Sequence, residues 1–384
     1  MNELFSRCSA WMPEYMKLWE TMVNIDSGSG HAEGLRRMAA TLEPRLEAAG
    51  FTIERHPGRK GDDDSEYSIV ARKTGKGTAS LLLMAHMDTV FPPGTAAERP
   101  FTVDGDWAWG PGVSDCKSGV GVIVAGMDIL KDFDGYGKLT VLFNCDEEIG
   151  SPSSKQLIMD LAREHDAALS YEPGGVGDTV TTSRKGNGRL VVKTFGKASH
   201  AGSAPEEGRN AFMELIYQVD RLATLGNKEK KTTVEFTVGK SGDRVNVVPE
   251  YAEATADVRV TFQEELDRLD ADIAALTREK RIPDCRVEAA LVRSRPPFSP
   301  NAKTDELAAL AADIYREIDK ELPGKGVGGA SDANYAALAG CPALCSLGPA
   351  KGGPNHSPGE KAHIPTVVPR IYLLARLVQR LSER

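Results

Sequence analysis

The chain has 384 residues, 41% of them hydrophobic and 27% charged, with a formal net charge of −8. That length suggests about two domains and a core large enough to hold without disulfides or metal. The acidic balance argues against nucleic acid or a membrane surface as partner. No apolar run approaches the ~18 residues that span a bilayer, and the N-terminus lacks a secretory pattern.

Residues 33–50, EGLRRMAATLEPRLEAAG, carry apolar side chains at helical spacing and end on glycine. FTIERH (51–56), YSIVARK (67–73), SLLLMAH (80–86), KLTVLFNC (138–145) and AALSYE (167–172) read as strands. The acidic run GDDDSE (61–66) between the first two reads as a solvated loop. VGVIVAGMDILKDF (120–133) suits a buried helix. This alternation predicts an α/β catalytic domain with a mostly parallel sheet flanked by helices.

From about residue 186 the pattern changes. RLVVKTFGKAS, NAFMELIYQVDRLATL, TTVEFTVGK, AEATADVRV, EELDRLDADIAALTREK and RVEAALVRS read β-α-β-β-α-β, the ferredoxin-like α+β arrangement. We therefore expect a catalytic domain made of 1–185 and 296–384, interrupted by an inserted domain at 186–295. The six cysteines form no C-x-x-C pair and are expected as reduced thiols of a cytoplasmic protein, with 341 and 345 packing around a strand.

The strand ends carry the chemistry. SLLLMAH delivers His86, VLFNCDEE delivers Glu147 and Glu148, and AALSYE delivers Glu172; His356 lies in GPNHSPGE. Ligands of open α/β sheets bind beyond the carboxyl ends of the strands, so these side chains should converge. Asp115 sits in the Gly-rich turn GPGVSDCKSG before the buried helix.

Two histidines and three carboxylates make a ligand inventory for two divalent metals, one carboxylate bridging. Two dications, three carboxylates and one hydroxide balance to neutrality. One glutamate then remains as general base, and Asp88 is placed to accept a hydrogen bond from the outward ring nitrogen of His86.

HMDTV, GPGVSDCKSG, DEEIGS, YEPG and PNHSPGE, in that order, resemble the co-catalytic dinuclear zinc peptidases. That family includes glutamate carboxypeptidases, aminoacylases, acetylornithine deacetylase and succinyl-diaminopimelate desuccinylase. The resemblance implies two Zn²⁺ ions, with Co²⁺ or Mn²⁺ as substitutes. His86 and Glu172 would bind one, Glu148 and His356 the other, with Asp115 bridging, Glu147 as general base and the Asp115–Cys116 peptide cis. Cys116 and Cys145 are then expected as packing residues.

The resemblance extends to GKASHAGSAPEEGRNA, GDRVNVVPE and ADVRV in the inserted domain. It implies that His200 assists at the scissile carbonyl, and that Asn246 and Arg259, with Arg295 in RSRPPF, hold a substrate carboxylate. The glycines of GKGVGGASDANYAAL (324–338) are expected to line the substrate pocket, with Ser331 and Asp332 as N-cap residues of the next helix. The other histidines, His31, His56, His165 and His363, are expected on the surface.

The implied activity is hydrolysis of the amide bond before a C-terminal amino acid. N-acyl-amino-acid amidohydrolase, dipeptidase or a catalytically silent peptide-binding relative are the alternatives. The partners implied are a small peptide or N-acyl amino acid and a second copy of the chain, paired through an inserted domain that serves as lid and dimerisation module.

Overall fold

The computed structural model describes residues 3–58 and 66–383, so of the acidic run 61–66 only Glu66 falls within it. The chain divides into two compact units. The first comprises Met1–Thr182, Pro300–Val327 and Ser331–Arg384; the second, Ser183–Ser299 with Gly328–Ala330.

The first unit is built on a six-stranded sheet. Its order is Thr52–Pro57, Tyr67–Thr74, Lys138–Asn144, Ser80–His86, Ala167–Ser170, Ala343–Leu344. The last four are mutually parallel; Tyr67–Thr74 runs antiparallel to them, and Thr52–Pro57 pairs antiparallel with it in turn. Leu81, Leu83 and Ala85 belong to the main core, while Leu82 and Met84, which alternate to the opposite face, are buried as well. A strand buried on both sides reads as an unbroken apolar run, and helices must cover both faces of its sheet.

Helix Lys117–Ile129 is almost wholly buried. Its glycines allow that: a Cβ on Gly119 would stand 1.8 Å from the Tyr171 carbonyl oxygen. Helix Val367–Ser382 contributes Ile371, Leu374, Leu377 and Val378 to the same core. Fully burying each such side chain stabilises the fold by about 1.5–3 kcal/mol relative to exposure.

Two N-terminal helices, Glu3–Ala10 and Met12–Val23, were not anticipated. In the second, Tyr15, Leu18, Trp19, Met22 and Val23 are buried at helical spacing. The Tyr15 hydroxyl donates to Ser118 O (2.8 Å) and the Trp19 indole to Val113 O (2.9 Å), which fastens the segment containing Asp115.

The second unit is a four-stranded antiparallel sheet, ordered Thr233–Ser241, Tyr251–Val260, Gly186–Phe195, Arg286–Arg293. Helices Ala211–Leu222 and Gln263–Leu276 bury Leu215, Leu222, Leu266 and Leu269 against Leu190, Val192 and Val258. The chain order and strand order together are those of the ferredoxin-like fold.

Candidate metal centre

Strand Ser80–His86 lies between Lys138–Asn144 and Ala167–Ser170, with His86 opposite Asn144 and Met84 opposite Ser170. This register brings three chain exits to one edge of the sheet. His86 ends the first strand, Glu147 and Glu148 occupy a 3-10 turn just after the second, and Glu172 follows the third. Asp115 comes from the 110–116 turn, where Gly112 adopts a φ of +70°, and its peptide bond to Cys116 is cis. His356 comes from a C-terminal loop with a left-handed φ of +60°.

The Asp115 carboxylate stands between the two imidazoles. His86 Nε2 is 3.2 Å from Oδ1, and His356 Nε2 is 3.3 Å from Oδ2. Glu172 Oε1 lies 3.8 Å from His86 Nε2, and Glu148 Oε2 lies 3.0 Å from His356 Nε2. Ligand atoms of His86, Asp115, Cys116 and Glu172 all fall within 4.8 Å of one another, as do those of Asp115, Glu148 and His356. One carboxylate is thus shared by two clusters, each holding one histidine and one glutamate.

The electrostatics describe carboxylates in want of positive charge. Burial, with the neighbouring charges of Asp115 and Glu147, pushes Glu148 up to about 7 and Glu172 well above the usual range. Burial also pushes Asp115 upward, but its bonds to His356 and His86 override that and hold it far below the ordinary value. Bonds to Asp115 and Glu148 raise His356 to about 10.

Glu148 Oε1 is buried without a hydrogen-bond partner, an acceptor in a place where only a cation or a donor would satisfy it. Mixed nitrogen and oxygen donors with an unsatisfied carboxylate fit divalent metal. Cys116 also lies within ligand reach, but burial pushes its thiol up to about 12 and it points at the Tyr171 carbonyl (3.2 Å).

Asp88 does more than orient His86. The His86 Nδ1 lies 2.9 Å from the Asp88 main-chain oxygen and 3.3 Å from Oδ1. The Asp88 carboxylate also accepts the backbone N–H groups of Glu147 (3.0 Å) and Glu148 (3.1 Å) and the Ser29 hydroxyl (2.6 Å). It therefore ties the turn that carries both glutamates to the strand end that carries His86.

Three supporting residues were not foreseen. Asn355 Nδ2 donates to Asp115 Oδ2 (2.8 Å). The Glu360 carboxylate accepts from the backbone of the Asp115 turn. Asp332 stands at the N-cap of helix Ala333–Leu338 as expected, but its side chain makes no cap bond; it accepts from Asn144 Nδ2 (2.6 Å) and the Ser151 hydroxyl, behind the turn bearing Glu147.

His165 is a further correction. It is buried, with Nδ1 against Leu161 O and Nε2 against the Thr140 hydroxyl, and burial lowers it to about 4. His31, His56 and His363 are half-buried. All six cysteines are buried thiols outside any disulfide.

His200, Asn246, Arg259 and Arg295 belong to the second unit. His200 and Val247 pair in a two-stranded ribbon, which sets Asn246 beside the histidine. His200 Nδ1 accepts the N–H groups of Gly202 and Ser203, both at 3.1 Å. A nitrogen that accepts twice carries no proton, so Nε2 is the N–H donor of the neutral ring. Arg259 is partly exposed and forks onto Asp257 through Nε (2.8 Å) and Nη2 (3.2 Å), which leaves Nη1 for another acceptor. Arg295 is buried, its backbone tied to Asn187.

Histidines and carboxylates gathered beyond the carboxyl ends of parallel strands, around one shared aspartate, define a metal-dependent hydrolase. The chain belongs to the peptidase family M20/M25/M40, whose model matches residues 82–380. It is 37% identical to carboxypeptidase G2 of Pseudomonas sp. (strain RS-16), over 99% of this chain and 92% of that one.

Among solved structures it resembles an aminopeptidase PepT from Bacillus cereus, at a TM-score of 0.78 and 18% identity over 96% and 98% of the two chains. A Bacillus subtilis protein described as a dinuclear-metal-binding peptidase of the M20 family aligns at a TM-score of 0.68 and 13% identity, over 96% and 98%. At these identities the two structures speak for the fold.

Proposed function

We propose that the protein is a two-metal exopeptidase of the glutamate carboxypeptidase type, cleaving the amide bond before a C-terminal amino acid. The observation that carries this reading is Asp115, whose two oxygens each face the Nε2 of a different histidine. The 37% identity to a carboxypeptidase over nearly the full chain supports the substrate class. His86 and Glu172 would hold one cation and Glu148 and His356 the other, with zinc as the metal and cobalt or manganese as substitutes. When bound, the pair would supply Lewis-acid polarisation of the substrate carbonyl and acidify a water.

The chain's own residues do the remaining work. Glu147, held at its backbone by Asp88, takes a proton from the attacking water as the new C–O bond forms. It then delivers that proton to the amine nitrogen as the C–N bond breaks. His200 donates through Nε2–H to the carbonyl oxygen as negative charge develops there. Arg259, through Nη1, and Asn246 bind the free α-carboxylate, with Arg295 as a further cationic contact. An internal residue has no such carboxylate, so this recognition makes the enzyme act at chain ends.

The 186–295 segment serves in this reading as lid and dimerisation domain. Ile216 and Val238 are exposed and line a cavity of about 510 Å³ on helix Ala211–Leu222 and the sheet edge at Thr233–Ser241, and Phe212 is exposed on the same helix. Such an apolar edge favours pairing with a second copy. Six buried thiols outside any disulfide support a cytoplasmic location, and no helix among the described residues is long and apolar enough to cross a membrane.

The test joins metal analysis to a substrate panel of N-acyl-glutamates, dipeptides, N-acetyl amino acids and C-terminal amides. Two equivalents of metal, loss of turnover on chelation and its return with zinc are expected, with substrates bearing a free α-carboxylate cleaved much faster than the amides. Metal-independent turnover, or equal use of the amides, would overturn the reading.

A further inference from the structure

Glu360 is 1% exposed and lies four residues beyond His356, yet its carboxylate reaches the turn that carries Asp115. Oε1 accepts the backbone N–H groups of Ser114 and Asp115, both at 2.9 Å, and Oε2 accepts that of Gly112 at 3.3 Å. Three N–H groups converging on one buried carboxylate are charge-assisted bonds, roughly twice as strong as neutral ones. The turn has little regular structure of its own, since Gly110 and Gly112 both sit at positive φ.

On its other side the Lys117 ammonium donates to Ile25 O (2.8 Å) and, at longer range, Pro111 O (3.5 Å). An anion collects the N–H groups of this turn, and a cation collects carbonyls. Asn355, one residue before His356, donates to Asp115 itself. Two ligand loops about 240 residues apart in sequence are thereby joined by side chains that are themselves no ligands.

We propose that Glu360 is a positioning residue for the two-metal site. By gathering Gly112, Ser114 and Asp115 it fixes the angle at which the Asp115 carboxylate faces both clusters, and it ties that turn to the loop bearing His356. The proposal rests on the two-metal reading given above. It makes a distinctive demand: because Asp115 belongs to both clusters, disturbing its support must weaken both metal positions together.

Glu360→Gln is nearly isosteric, so packing is kept. A glutamine, however, turns an NH₂ toward at least one of the three N–H groups and removes the negative charge. Outer residues that orient ligands typically contribute about 10–100-fold to metal affinity.

The experiment titrates holoenzyme with a competing chelator, following metal loss directly, and records thermal unfolding with and without chelator. E360Q is expected to surrender both equivalents at about 10–100-fold lower chelator activity than wild type, and the metal-dependent part of its Tm to shrink. Should E360Q fail to fold, Glu360→Asp retains the charge but withdraws it by one methylene, and the same joint weakening is expected.

Wild-type affinity at both positions, weakening confined to one, or a fall in chelated-state Tm with unchanged metal affinity would each overturn the proposal. Wild-type protein that holds no metal would sink the two-metal reading itself, a result seen in a different sample.

Discussion

The two units differ in how they hold most of their candidate site residues. At the strand ends and the Gly-rich turn of the first, His86, Asp88, Asp115, Glu147 and Glu172 are all under a tenth exposed, and His86 and Asp115 face other ionisable side chains. In the second, His200 and Asn246 are exposed and Arg259 is half-buried, while the buried Glu214 and Glu265 accept hydrogen bonds beside an aliphatic cluster. A cluster of buried carboxylates raises the free energy of the bare fold and persists only where something it binds compensates. Exposed residues on a regular sheet carry no such penalty and no such signature. The candidate site of the first unit is therefore marked by its energetics, whereas the exposed positions of the second carry no such mark.

The largest effect that would sharpen this contrast is on turnover. Glu147→Ala should lower kcat by about 10²–10⁴-fold, the usual contribution of a general base, with both metals retained. Near-normal kcat, or lost metal, would remove Glu147 from that role.

Next comes stability. Arg370, wholly buried, forks onto Asp178 through Nε (3.0 Å) and Nη2 (2.7 Å) and donates to Ser346 O and Thr179 O. Arg370→Met leaves that acid and those carbonyls without their cation and should cost about 3–5 kcal/mol, read from the denaturant midpoint. A change under ~1 kcal/mol would show that polar burial in this unit is not the constraint inferred.

A pH experiment tests the same unit more gently. His165 is lowered by burial from 6.5 to about 4, so the unfolded chain takes up its proton first. Its contribution is fully present above pH 6.5 and is lost as pH falls toward 4, at most about 3 kcal/mol in total. His165→Gln should flatten the stability curve across that window relative to wild type, and parallel curves would refute the assignment.

Much of this contrast was legible in sequence, for identifiable reasons. SLLLMAH announces a doubly buried strand because no polar residue interrupts it before His86, and the β-α-β-β-α-β order is punctuated by short, regular elements. The five motifs carry the candidate ligand residues, each at a strand exit or in a Gly-rich turn or loop.

Other roles had no local signal. Glu360 accepts from a turn some 245 residues upstream, and Asp332 prefers Asn144 and Ser151 to its own helix terminus. Tertiary donors outcompeted the local cap, which sequence spacing does not reveal. His165 looked like any polar residue after a helix; only the fold shows it sealed against Thr140. The helix at 12–23 was recoverable from the spacing of Tyr15, Leu18, Trp19 and Met22, a periodicity masked by the polar residues between them.

The smallest expected change in stability belongs to the second unit, and there the comparison can be broken most directly. Arg259 pairs with Asp257, and both side chains are at least a third exposed, so Arg259→Met should alter unfolding free energy by less than about 1 kcal/mol. If the residue binds substrate, the same variant must lose the charge-assisted bonds from Nη1 to the α-carboxylate. That predicts a fall of about 10–100-fold in kcat/KM on free-acid substrates.

The C-terminal amide offers no carboxylate, so its slow turnover should hardly respond. Equal losses on acid and amide would mean that Arg259 acts on the reacting groups or on the fold. A large loss of stability would mean that its pair with Asp257 is structural after all. Only a change that spares the fold and singles out the carboxylate is consistent with a residue placed for a partner and not for the core.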